Sequence, residues 1–172
     1  LIHRPSTQKI WLSLERWLLP KLQNFYTVNE SLAEIYSQKY GVKVAAVYNF
    51  PIQKEVLFEQ RKNILLYQGA LNLGRGIELM IATMEYLPEY ELWIVGTGDV
   101  EAELKAMAGE NVRFWGFVPP ADLHSLTVQA KLGLSWEENL GENYYYSSPN
   151  KVFDYIQGRT PVLLSPFPEM KK

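Results

Sequence analysis

Cysteine is absent from this chain, which excludes disulfides, thiolate nucleophiles and cysteine-based zinc sites and leaves the redox compartment open. Aspartate is scarce. Asp99, Asp122 and Asp154 are its only occurrences, so no Asp-x-Asp metal motif exists. The two histidines, His3 and His124, are far apart in sequence. His124 falls in a predicted amphipathic helix, where a surface or boundary role is expected. Neither sign of charge dominates: 17 basic against 19 acidic side chains give a net charge of −2, which argues against a general nucleic-acid binder. No apolar run reaches membrane-spanning length, and no signal peptide or low-complexity segment is visible. What remains is the composition of a soluble globular protein. A hydrophobic fraction of 47% over 172 residues suits one domain, or a domain with an appendage.

The first fifty residues and the rest differ in rhythm. Residues 8–22 read as a helix with Ile10, Leu14 and Leu18 on one side, Trp11, Leu12 and Leu19 widening the stripe, and Lys9, Arg16 and Lys21 beside it. Such a broad stripe is expected to be buried against a neighbouring element; a basic, Trp-bearing helix lying in a membrane interface is the alternative. A strand at 25–28, a helix from Glu30 to Tyr40 stopped by Gly41, and a strand at 42–48 follow. Asn49-Phe50-Pro51 breaks the pattern, and residues 51–62 form a predicted linker. From Asn63 onward, apolar strands at 64–67, 92–95, 112–115, 132–135 and 162–164 alternate with amphipathic helices. That alternation predicts an α/β fold: right-handed βαβ crossovers and a Rossmann-like parallel sheet covered on both faces. The domains expected are therefore 1–50, a linker at 51–62, and 63–172. The chain has no initiator Met and stops at residues 168–172, where the pattern predicts the start of a helix, so it reads as a fragment of a longer protein.

The chain is organised around residues 147–165, which read as loop, short helix, turn and buried strand. Ser148 suits an N-cap, Pro149 the first helical position, and Gly158 a left-handed residue past the helix end. Val152, Phe153 and Ile156 form an expected apolar stripe, with Asn150, Asp154 and Gln157 opposite. The helix N-terminus, with Lys151 in its first turn, suits phosphate oxygens, and Asp154 one turn on suits a pair of sugar hydroxyls. An ordinary capped helix with a solvated polar face fits the same residues.

In an open parallel sheet, ligands bind outside the carboxyl ends of the strands, where the unusual loops fall. The 69–76 loop carries Gly69, Gly74 and Gly76 around Arg75, so that backbone and guanidinium can both approach a diphosphate; a flexible turn with a surface Arg is the plain alternative. Gly96-Thr97-Gly98 is not a dinucleotide fingerprint, because Glu101 stands where the third glycine belongs. Phe114, Trp115 and Phe117 are candidates for core packing. The 136–146 loop sets carboxylates beside amides and tyrosines, a composition suited to sugars and equally to solvent.

Phe153-Asp154-Tyr155-Ile156-Gln157-Gly158-Arg159-Thr160-Pro161-Val162 resembles the donor-site signature of retaining GT-B glycosyltransferases of the "glycosyl transferases group 1" family, family 4-like. That signature sets an acidic residue seven positions before the Pro of a Gly-x-Pro-Val turn, a spacing that Asp154 and Pro161 keep. The family's second glutamate, which holds the donor ribose, falls on Asp154, and its first falls on Tyr146. Its phosphate-contacting Arg falls on Ala70, and the basic residue before the last glycine falls on Arg75. From about residue 63, the chain resembles the C-terminal, donor-binding half of that fold; residues before about 51 resemble the end of the N-terminal, acceptor-side half. The resemblance implies Gly69, Arg75, Gly76, Gly98, Phe117, Val118, Tyr146, Ser148, Asn150, Lys151 and Asp154 as donor-binding positions. It implies a cytoplasmic, metal-independent transferase of polysaccharide biosynthesis, with no cofactor beyond its nucleotide-sugar substrate, a sugar or lipid-linked acceptor, and peripheral contact with the inner membrane surface. Catalytic groups drawn from the other half lie outside the chain, so the fragment is expected to bind donor and barely turn it over. A non-hydrolysing nucleotide-sugar epimerase and a non-enzymatic Rossmann-like interaction module stay open.

Overall fold

The computed structural model describes residues 5–55 and 60–172; part of the predicted linker, at 56–59, lies outside them, as does His3. The chain divides into two compact units, Leu1–Asn49 and Phe50–Lys172.

In the first unit, α1 (Pro5–Leu18) runs into a 3-10 turn at Leu19–Lys21, so the helix starts and ends earlier than its apolar pattern suggests. Pro20, with no N–H to donate, accounts for the early end. β1 (Phe25–Thr27), α2 (Glu30–Tyr40) and β2 (Val44–Ala46) follow. β1 and β2 make their own two-stranded parallel sheet, Phe25 opposite Val44. Asn29 caps α2 by accepting from the Leu32 N–H at 2.9 Å, and Gly41 closes it at φ +66°. The expected burial of the α1 stripe is not found. Ile10, Trp11, Leu14, Trp17 and Leu18 are all exposed. The helix turns a polar residue inward instead: Glu15 accepts from the Tyr40 hydroxyl and from Lys39 Nζ at 3.4 Å.

The second unit contains β3 (Lys62–Gln68), α3 (Ile77–Thr83), β4 (Glu91–Val95), α4 (Glu101–Met107), β5 (Val112–Gly116), α5 (Pro120–Thr127), β6 (Ala130–Ser135), α6 (Glu142–Tyr145), α7 (Asn150–Gln157) and β7 (Val162–Leu164). The sheet is fully parallel, in the order β5-β4-β3-β6-β7. Alternate residues of each inner strand feed separate cores: Tyr67, Leu92 and Ile94 pack with α3 and α4, while Ile64, Leu66, Trp93 and Val95 pack with α5 and α7. Burial on both faces explains why the strands read as unbroken apolar runs. The chain travels outward from β3 to β5, then returns to lay β6 on the other side of β3. The strand order therefore reverses between β3 and β6, which opens a crevice at their carboxyl ends.

Candidate functional site

β3 and β6 deliver the first parts of the site into that crevice. β3 ends on buried Gln68 and runs into Gly69 at φ +143°, a conformation that glycine takes without strain. β6 ends on buried Ser135 and runs through Trp136 to Glu137, whose side chain has no exposed surface. α7 brings Lys151, which is only 8% exposed.

These converge on one carboxylate. Glu137 Oε1 accepts from Lys151 Nζ at 2.9 Å, from Arg75 Nη1 at 3.3 Å and from Ser135 Oγ at 3.4 Å. Ser165 Oγ donates to the Glu137 carbonyl at 2.7 Å and fixes the backbone beneath it. Lys151 Nζ also lies 4.3 Å from the centre of the Tyr67 ring, and the Arg75 guanidinium lies 5.1 Å from that of Tyr144. Burial pushes the Lys151 ammonium below its ordinary value, and the Glu137 carboxylate opposes that. Burial likewise raises the Tyr67 phenol well above its usual range, so it stays a neutral donor, here to the Ala70 carbonyl at 2.8 Å. Two cations against one carboxylate leave a net positive cluster at a helix N-terminus. Arg75 Nε and Glu137 Oε2 are buried with no hydrogen-bond partner.

Asp154 belongs to a second polar string. Its Oδ2 accepts from Gln68 Nε2 at 2.9 Å, and Gln68 Oε1 accepts from Thr127 Oγ1 at 3.0 Å. The carboxyl is half-buried and faces a cleft of about 60 Å³ that also includes Lys54, His124 and Gln157. Burial raises its pKa; the Gln68 hydrogen bond and the charges of Lys54 and His124 act in the opposite sense.

Local structure departs from the predicted caps of α7. Pro149, not Ser148, is the N-cap residue, and it makes no side-chain cap; α7 begins at Asn150. Gly158 keeps φ at −74°, and the left-handed residue is Arg159 at φ +52°. The Thr160 N–H reaches the Tyr155 carbonyl and the Arg159 N–H that of Ile156, which is a Schellman closure displaced by one residue. Glycine is needed at 158 for proximity, since a Cβ there lies 2.9 Å from Thr127 Cγ2. The buried face of α7 is also not the predicted stripe: Lys151 and Tyr155 are buried, whereas Ile156 is 61% exposed. Tyr155 fits because it lies over Gly133 of β6, where any Cβ comes within 2.6 Å of the ring, and its hydroxyl donates toward the Leu66 and Leu134 carbonyls.

Of the eleven expected donor-binding positions, the fold gathers Gly69, Arg75 and Lys151 around Glu137; Lys151 Cε lies 3.7 Å from a Cβ built on Gly69. Asp154 reaches the same strand end through Gln68. Ser148 and Asn150 flank the start of α7. Gly76 is the N-cap residue of α3, packed against the Trp136 carbonyl, and Gly98 packs on the Leu71 backbone; a Cβ on either collides at 2.4 or 2.3 Å. The others are not gathered in. Tyr146 meets Tyr145 edge to face, Val118 packs on the α5–α7 side of the sheet, and Phe117 is 73% exposed, so core packing holds for Phe114 and Trp115 and not for it. Glu137, Gln68 and Tyr67 were not singled out by motif. Polar Gln68 and Ser135 at the ends of buried apolar strands were the available signal. An apolar cavity of about 540 Å³ lies elsewhere, between α3 and β6–β7, lined mainly by leucines and without converging charges.

No protein-family model and no curated protein sequence matches this chain. Solved structures do. TarM of S. aureus, in complex with UDP, superposes with a TM-score of 0.70 at 14% identity over 94% of this chain and 33% of its own. The pneumococcal O-GlcNAc transferase GtfA, with UDP and GlcNAc, gives 0.68 at 16% identity over 92% and 33%. Anabaena HepE, with UDP and glucose, gives 0.69 at 12% identity over 96% and 50%. The parallel unit is one Rossmann-like half of a GT-B fold. The chain spans about a third to a half of the length of these GT-B neighbours. In this GT-B half the positive cluster sits at the point where the strand order reverses.

Proposed function

We propose that this chain is the donor-binding part of a glycosyltransferase that moves a sugar from a nucleotide-diphosphate-sugar to an acceptor, with retention and without metal. The observation that carries the reading is the net positive cluster of Arg75 and Lys151 around Glu137, beside the α7 N-terminus in the switch-point crevice. Negative charge builds on a departing diphosphate, and fixed cations and helix amides stabilise it with no reorganisation. Asp154, one helical turn beyond Lys151, accepts from the ribose hydroxyls. UDP in the three neighbours supports a nucleoside diphosphate as the ligand class. A sugar or lipid-linked acceptor, a cytoplasmic location and peripheral membrane contact complete the proposal. Among the described residues no helix is long and apolar enough to cross a membrane, and the exposed α1 face with Lys9, Arg16 and Lys21 supplies the surface for such contact.

Calorimetry with UDP and the other nucleoside diphosphates tests the reading. Wild type binds at least one of them, and binding is unaffected by EDTA. Arg75→Ala weakens it by about 1.5–3 kcal/mol, the worth of a charged hydrogen-bonding partner. Unchanged affinity in folded Arg75→Ala ends the assignment.

A further inference from the structure

An acid at the centre of a site that receives a diphosphate repels its ligand, so Glu137 needs a reason to be there. Lys151 supplies it. Its ammonium is enclosed by the Tyr67 ring, the Gly69 turn and Glu137, with little contact with water. A buried amine without a counterion sheds its proton, and a neutral amine no longer attracts phosphate. The charged and titratable groups around it are few: Glu137 at 2.9 Å, Arg75 on the same oxygen, and Tyr67, with Glu78 and Tyr144 acting on that phenol. Among the charged groups acting on Lys151, Glu137 favours the ammonium and Arg75 opposes it.

We infer that Glu137 is a positioning residue, the resident counterion that keeps Lys151 protonated and aims it, with Arg75, into the crevice before a diphosphate arrives. Glu137 Oε1 makes all three side-chain contacts and leaves Oε2 unpartnered, so the acid has been placed for its charge beyond its hydrogen bonds. The inference rests on the reading of this crevice as a nucleoside diphosphate site.

The test uses the full chain and two readouts. In the first, Lys151 is titrated by NMR in chain labelled at lysine ¹³Cε, its signal assigned by its loss in Lys151→Arg. Wild-type Lys151 stays protonated through about pH 8, and Glu137→Gln lowers its proton affinity at least tenfold, which is about one pH unit. In the second, UDP affinity is followed between about pH 7 and 9. Wild type changes less than about twofold, Glu137→Gln weakens about tenfold or more as one proton is lost, and the double variant Glu137→Gln/Lys151→Arg is flat again, because Arg does not deprotonate. A structural role alone lowers affinity equally at every pH. Parallel pH profiles for wild type and Glu137→Gln, or an unmoved Lys151 titration, overturn the inference. If Glu137→Gln does not fold, wild type still decides: Lys151 already neutral at about pH 7 overturns it. A wild-type chain that binds no nucleoside diphosphate ends the functional reading alone, since the Lys151 titration needs no ligand.

Discussion

Asp154 is subject to two influences that pull its protonation in opposite directions. Gln68 holds one oxygen at 2.9 Å, while burial favours the protonated acid. Because its folded-state pKa is raised above the ordinary 3.8, the stability it contributes is complete below that value and is lost as pH rises through the folded pKa. Asp154→Asn removes this titration. Its stability relative to wild type, by urea denaturation, therefore improves as pH rises from about 3.8 through the raised folded-state titration and then levels. Binding moves the other way. A carboxylate accepting from two vicinal hydroxyls makes charge-assisted bonds, so Asp154→Asn weakens a ribonucleotide by about 1–3 kcal/mol, and a 2′,3′-dideoxy analogue loses little more in the variant. A coupling near zero between residue and hydroxyls in that cycle removes Asp154 from the ribose site. Asp154 was legible because a seven-residue spacing to Pro161 marks it. Glu137 was not, since nothing in an acidic surface loop says which of Glu137, Glu138 and Glu142 turns inward; only the approach of Arg75 and Lys151 decides that.

At the level of elements, the strand order of the second unit was readable because each strand is a short apolar run, most of them closed by a Gly or Pro turn; α6 was not, since it lies inside the stretch 136–146 that reads as a loop. Faces were harder. α7 presents Ile156 to solvent and buries Lys151 and Tyr155, the reverse of a hydrophobicity ranking, because the neighbouring strand offers a glycine floor and two carbonyl acceptors at that one place. The turn after α7 shows the same dependence on distant partners. Arg159 holds a left-handed conformation that costs about 1–2 kcal/mol in a residue with a Cβ. Its surroundings are fixed by Arg61, whose guanidinium donates to the Ala130 carbonyl and Thr160 Oγ1, each at 2.9 Å, and to the Gly158 and Arg159 carbonyls. Arg61→Ala leaves these acceptors to find water in a half-buried corner. A loss of about 2–3 kcal/mol in chemical denaturation is expected, with no change of fold by circular dichroism.

For the molecule as a whole, the boundary between the units is a physical question about residues 50–62. Phe50 stacks edge-on against Phe153 at 4.9 Å, Gln157 donates to the Ile52 carbonyl, and Lys54 reaches the carbonyls of Pro120 and Ala121. A predicted linker thus has its described part packed on α5 and α7. A chain of residues 50–172 is expected to unfold cooperatively on its own. One beginning at Asn63 lacks both Phe50 and Arg61 and is less stable by at least about 3 kcal/mol. Equal stability of the two by thermal or urea unfolding contradicts this. Charge and hydrophobic rhythm alone did not reveal the packing, because a Gln-, Lys- and Glu-rich stretch looks solvated whichever way its few apolar residues turn.

The sheet order has a consequence for the birth of the molecule. β3 is made first and ends in the middle, flanked by β4 on one side and β6 on the other, with Lys62 opposite Ala130. A ribosome working at ~5–20 residues per second needs on the order of 3–14 s to travel from the first of those positions to the second. Throughout that interval β3, joined by β4 and then β5 only as they are made, keeps the hydrogen-bonding edge that β6 will cover unpaired, the kind of surface that recruits strands from other chains. Translation speed between residues 62 and 130 therefore sets the exposure time, and slowing it favours interchain pairing or chaperone capture over the native return of β6.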